Sequence, residues 1–245
     1  MSFQRIGLTA AVTCALLVIA QKAEAVILAS DDFSGPASGT GWAAGSQWEA
    51  LSGGRVATTG ATNLSFRNFA APIDGTNQVT YIRFDFTQSV PGTGAQWGGA
   101  SFFEGLEAAN GGTETFFAGD PGNIMNYGLD LHPGSVDSGV AINNQQRTII
   151  AAIDTTPAGA TANYRIWVDN FNLGSPNGSG TINNSPIDAA WQSFRVGNDA
   201  TNTNFYDNLT IATTFREVGL VPEPSSLGLV GLFGGAMLAM KRRRR

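Results

Sequence analysis

Cysteine is almost missing from this chain: its 245 residues hold one, Cys14, inside an apolar run near the start. Once that run is removed, no thiol, disulfide or cysteine-based metal site is left, and the folded part rests on its core alone. Cys14 does not mark a lipid attachment site either, since Ala11-Val12-Thr13 precedes it in mid-run. Lysine is absent between Val26 and Leu220, where seven arginines face 17 carboxylates for a net charge of −10. Nucleic acids and anionic membrane surfaces need basic patches, so this balance excludes them as partners of the middle of the chain. Histidine occurs once, as His132 before Pro133-Gly134, with no second histidine or cysteine to join it. That excludes a histidine-based catalytic triad and a zinc site. No phosphate-binding or dinucleotide glycine motif is present.

The two ends carry what the middle lacks. Arg5 is followed by an apolar stretch from Ile6 to Ala20 and then by Ala23-Glu24-Ala25. A positive n-region, an h-region and a small-residue cleavage site make residues 1–25 a secretory signal peptide, to be cut by signal peptidase at Ala23/Ala25. Its apolar stretch is shorter than the ~20 residues of a spanning helix. At the other end, Val221-Pro222-Glu223-Pro224-Ser225 precedes an unbroken run from Leu227 to Met240, then Lys241-Arg242-Arg243-Arg244-Arg245. The prolines separate this tail from the domain before it. As a helix the run rises only ~21 Å against a hydrocarbon core of ~30 Å, a marginal anchor. Five basic residues at the tip hold it on the cytoplasmic side.

Pro222, Glu223 and Pro224, the apolar run and the basic stop, in that order and at the terminus, resemble the PEP-CTERM sorting signal of Gram-negative bacteria. The resemblance covers about 25 residues of the chain and implies recognition by an exosortase, a membrane transpeptidase. It implies a destination at the cell surface or in the exopolysaccharide matrix, with residues 221–245 spanning the inner membrane before processing.

Between the ends, residues 26–220 show no sustained helical period. Short alternating runs are bounded by Gly, Asn, Pro and Asp. In Val79–Phe86, Ile82, Phe84 and Phe86 share one face while Arg83 and Asp85 share the other. Tyr164, Ile166 and Val168 align opposite Arg165 and Trp167, and Leu209, Ile211 and Phe215 align in Phe205–Phe215. Ser101–Phe103, Thr115–Ala118, Tyr127–Leu131, Thr148–Ile153 and Phe194–Val196 read as further strands, with turns such as Pro91-Gly92 and Pro121-Gly122 between them. Many short strands with such turns predict an all-β antiparallel β-sandwich. Asp31-Asp32-Phe33 at the start, the Tyr164–Asp169 strand and the closing Phe205–Ile211 strand resemble concanavalin A-like and laminin G-like jelly rolls. That lectin-type fold implies first and last strands lying side by side.

Chemistry is sparse. Glu104 and Glu107 are the nearest acid pair, but residues three apart on a strand face opposite ways. Gly105 and Leu106 also break the acid array of the laminarinase-type glycosidases that share the fold. Two solvated loop acids is the plainer account. Calcium suits the oxygen ligands of Asp31, Asp32 and Asp207, which meet if the chain ends pair; aspartates also populate turns for backbone reasons. Trp42, Trp48, Trp97, Trp167 and Trp191 are the aromatic candidates for stacking on sugars, with Trp42 and Trp97 in glycine-rich loops; for each of the five, filling the core or capping a sandwich edge is the plainer account. The expected protein is a non-enzymatic structural or adhesive domain of the cell surface. A carbohydrate-binding module for neutral polysaccharide is the alternative, and a divergent glycoside hydrolase the second.

Overall fold

A computed structural model describes residues 25–59, 64–88, 97–106, 113–122, 124–131, 134–156, 161–183, 190–198 and 203–219. Residues 1–24, on which most of the expected signal peptide falls, residues 220–245, which include the expected sorting tail, and Glu107 and His132 lie outside them. The described residues form strands β1 (Ile27–Asp31), β2 (Val56–Thr59), β3 (Leu64–Ile73), β4 (Val79–Gln88), β5 (Trp97–Phe103), β6 (Glu114–Pro121) and β7 (Asn126–Asp130). They continue with β8 (Ser135–Ala141), β9 (Arg147–Asp154), β10 (Thr161–Val168), β11 (Gly178–Asn183), β12 (Trp191–Asn198) and β13 (Thr203–Ala212), then one short helix, α1 (Phe215–Val218). No described helix is long and apolar enough to cross a membrane.

Two antiparallel sheets result. The first has the order β1-β13-β4-β9-β10-β11, with β2 also pairing β13; the second runs β3-β12-β5-β6-β7-β8. Alternation drives the layering. Ile82, Phe84 and Phe86 of β4 point inward with Ile149, Ala151 and Ile153 of β9, and meet Phe102, Phe116 and Phe194 of the second sheet in one core. Trp191 stacks on Phe102 with ring centres 4.2 Å apart. Burying each such aromatic stabilises the fold by about 1.5–3 kcal/mol.

The outer face of the first sheet is half apolar. Tyr81, Ile150, Ala152, Trp167 and Ala212 form a second cluster that α1 covers with Phe215 and Val218. Phe215 therefore leaves the row of Leu209 and Ile211 expected from the sequence. Thr213 and Thr214 bend the chain after β13, and Phe215 turns back over Trp167, ring centres 5.0 Å apart.

First and last strands do lie side by side, Ala29 opposite Ile211 and Asp31 opposite Leu209. The Val26 N–H donates to Thr213 Oγ1 at 3.1 Å, and the Thr213 N–H donates to the Val26 carbonyl at 3.0 Å. The chain thus enters and leaves the sandwich at one corner. At the opposite end β4 stops at Gln88, β13 starts at Thr203, and Gly98 of β5 pairs with Asn198 of β12.

Candidate functional site

The predicted aspartates sit where β1 gives way to a long connection, and the structure separates their roles. Asp31 points inward. Its Oδ2 accepts from Arg67 at 2.5 Å and from Trp48 Nε1 at 2.9 Å. Its Oδ1 accepts from the Phe33 N–H at 2.7 Å and from Ser38 Oγ at 2.6 Å. The side chains of this ion pair are 3% exposed for Arg67 and 0% for Asp31. Burial lowers the Arg67 guanidinium from its usual range, partly offset by Asp31. Both carboxylate oxygens of Asp31 are committed to protein donors, which makes it a structural hub.

Asp32 is exposed, and the Ser34 backbone N–H and hydroxyl hold its carboxyl below the ordinary range. Asp207 lies on β13 opposite Asp85 of β4, a like-charge cross-strand pair of the kind that destabilises a sheet. Burial raises the Asp207 carboxyl, the charges of Asp85 and Asp32 add to this, and a hydrogen bond from the Asn208 N–H opposes it. Asp85 is better provided for: Thr148 Oγ1 donates at 2.7 Å, Asn208 Nδ2 at 2.8 Å and Gln146 Nε2 at 3.2 Å. Asn208 reaches Asp85 because β13 slips register between Asp207 and Thr210 and Asn208 itself adopts φ 52°. Among the described residues, no three acids or histidines gather in a way that could hold a metal ion.

What Asp32 and Asn208 share is an open cleft of about 650 Å³, lined also by Ser34, Ser38, Arg83 and Thr210. In the sequence Arg83 shares with Asp85 the strand face opposite Ile82, Phe84 and Phe86. Arg67, Arg147, Arg165 and Arg195 each bind a carboxylate. Arg83 has no such partner among the described residues, and its Nε is buried with no hydrogen bond. Leu209 is the only large apolar residue in the lining, and it is 2% exposed.

The tryptophans divide as well. Trp42 is not an exposed sugar platform: it is 9% exposed, stacked on Phe69 at 5.2 Å and covered by Arg67 at 4.8 Å. The glycine before it, Gly41, has φ +84° and lies so close to Leu28 and Ala29 that no Cβ fits. It serves close packing, where the sequence suggested a loose loop. Trp48, Trp167 and Trp191 are core residues too. Trp97 is half-buried, opens β5, and meets the edge of Phe117 at 5.5 Å. On the same sheet Arg195 donates to Glu114 at 2.7 Å and lies over Phe103 at 4.7 Å. Glu104 follows β5, its backbone N–H bonded to Thr113 and its carbonyl to Gln192.

Sequence reasoning missed one further feature entirely. Asn204 lies opposite Thr58 on β2 and Gln88 on β4, a polar row on an otherwise apolar inner face. Gln88 Nε2 donates to Asp120 Oδ2 of the facing sheet at 3.0 Å. Thr58, Gln88 and Asn204 are 0% exposed. The polar positions of their strands gave the signal, but only the register aligns them.

These features define an all-β antiparallel sandwich with a polar cleft beside its paired first and last strands. No family model and no curated protein matches the chain. Solved structures align with it at low sequence identity. HCR/D-Sa-GBL1/C aligns at a TM-score of 0.50 and 8% identity, over 80% of this chain and 51% of that one. The binding domain of botulinum neurotoxin serotype G gives 0.49 and 11%, over 79% and 50%. The globular domain of calreticulin from T. cruzi gives 0.46 and 11%, over 80% and 84%. The chain spans about half the length of the first two.

Proposed function

We propose that this protein is exported, sorted to the bacterial envelope by its C-terminal tail, and serves there as a non-enzymatic structural or adhesive β-sandwich. In this reading signal peptidase frees Val26, an exosortase takes the Pro222-Glu223-Pro224 tail, and the sandwich stands in the surface matrix. The carrying observation is the corner where Val26 and Thr213 hydrogen-bond to each other. A body whose chain ends meet at one corner is held from that corner, and the rest of its surface faces outward. The described carboxylates fit a non-catalytic role: Asp31, Asp154, Asp169 and Glu114 are in ion pairs, and Asp85 is held by three side chains.

The test has two arms. N-terminal sequencing of the native protein should begin at Val26, and a chain still starting at Met1 removes export. Residues 221–245 fused to an unrelated exported protein should be processed in a host with an exosortase and stay intact in a host without one. Equal behaviour in both hosts reduces the tail to a plain anchor. Binding of neutral polysaccharide is the second reading, and the open polar cleft at Asp32 and Arg83 favours it.

A further inference from the structure

From the unpaired guanidinium of Arg83 and the exposed carboxylate of Asp32, which line one cleft, we infer that this cleft is a binding site for the vicinal hydroxyls of a neutral sugar. The inference rests on the carbohydrate reading and gives it a place and a ligand class.

The cleft's own charges select against ions. An anionic ligand would meet Arg83 but also Asp32, with Asp85 and Asp207 on the adjoining strands and a body of net charge −10 around them. A cation would meet Arg83 at the lining, and the acids there do not gather as metal ligands. An uncharged ligand meets neither repulsion. The free groups then specify its chemistry. A guanidinium offers several N–H donors in a planar fork that binds two neighbouring oxygens at once. A carboxylate accepts from two neighbouring hydroxyls. The Asp32 carboxylate takes the Ser34 N–H on Oδ1 and the Ser34 hydroxyl, which fix it in place, and as an exposed carboxylate it has further lone pairs to accept from a ligand. The Thr210 hydroxyl lines the same wall. Adjacent hydroxyls on a sugar ring supply both oxygens for the fork and protons for the carboxylate.

The cleft also excludes apolar ligands. Its lining has no aromatic side chain, and Leu209 is buried beneath it. A sugar would therefore be gripped by its hydroxyl edge, with neither ring face stacked. A volume of about 650 Å³ falls within the common range for small-molecule pockets, and its openness to solvent lets a polymer chain pass through.

Two substitutions probe the pair without disturbing the fold. Arg83→Met removes the fork and also deletes a buried N–H that has no partner, so the melting temperature should hold or rise. Asp32→Asn keeps an oxygen to accept the Ser34 N–H while removing the charge. The full chain, purified in a non-glycosidic detergent, is titrated by NMR with a soluble neutral glucan, its O-methylated derivative and a polyuronate. Wild type should bind the neutral glucan at millimolar levels and ignore the other two. Each variant should weaken that binding by about tenfold or more at unchanged melting temperature, the loss expected when a built hydrogen-bonding site loses a partner. Glucan binding that both variants retain in full would overturn the site and leave the carbohydrate reading standing. Preference for the polyuronate would overturn the neutral ligand class. If wild type binds none of the three at millimolar concentration, the carbohydrate reading itself fails, and this inference with it.

Discussion

Removing the positive partner of Asp31 tests whether the hub beneath the cleft holds the sandwich together. In Arg67→Met the flexible side chain keeps most of the volume, and Asp31 keeps its bonds to Phe33, Ser38 and Trp48. What disappears is the counter-charge of a carboxylate with 0% side-chain exposure. Breaking a buried pair from one side costs about 3–5 kcal/mol, because the remaining charge stays buried and uncompensated. The guanidinium also leaves the faces of Trp42 at 4.8 Å and Trp48 at 5.6 Å, worth about 0.5–2 kcal/mol more. For a domain of this size each kcal/mol moves the melting temperature by about 2–4 °C, so the variant should melt roughly 7–28 °C lower. Circular dichroism melts and urea midpoints on the same samples measure this. Adding Asp31→Asn removes the second charge, and the double variant should regain a large part of the loss. An Arg67→Met protein within about 1 kcal/mol of wild type would refute the argument. So would a double variant whose deficit is the simple sum of the two.

Three further outcomes follow from the same geometry. Asp207→Asn should raise the melting temperature at neutral pH: a carboxyl whose folded pKa is raised disfavours folding once ionised. The gain should fade as pH falls through that raised pKa and Asp207 of the wild type becomes protonated; a gain independent of pH would exclude charge as its cause. Gly98→Ala should destabilise, since the new Cβ would collide with the Asn204 amide, by about 1–3 kcal/mol. Asn204→Ala in the same chain should relieve that clash, and a double variant no more stable than Gly98→Ala alone would refute the contact. Calcium and chelator should both leave the melting temperature unmoved, because Asp31 is bonded to Arg67 and Trp48. A calcium-dependent rise would show that Asp32 and Asp207 recruit an ion through other partners.

The fold was legible where one strand face meets the core and the other does not. Val79–Phe86 and Tyr164–Val168 show this in their alternation, and both are strands of the first sheet. β2, β3, β8 and β11 were not legible as strands; SVDSGVA and GSGTIN at the sheet edges carry too few apolar residues to mark one, while LSFRNFAAPI of β3 has apolar residues without a clean alternation. Phe215 kept the spacing of a strand, yet two threonines turned it into a helix over the opposite face. The site was legible only in part. Pairing of the chain ends could be expected, and it does bring Asp32 near Asn208. That Asp31 would turn inward could not, since Arg67 lies 36 residues further along and nothing local announces the pair. Arg83 looked like any solvated charge. Its lack of a partner is a property of its neighbours on β13, and no run of sequence displays it.

The corner at which Val26 and Thr213 meet makes the sandwich a cassette. Nearly all its strands form one loop of chain that closes on itself, so inserting it into a longer exported chain would hardly move apart the segments before and after it. Such a body adds a side branch, with little added reach, to whatever carries it. The same closure means the ends could be joined by a few residues and the chain reopened at a surface turn, with both sheets keeping their pairing.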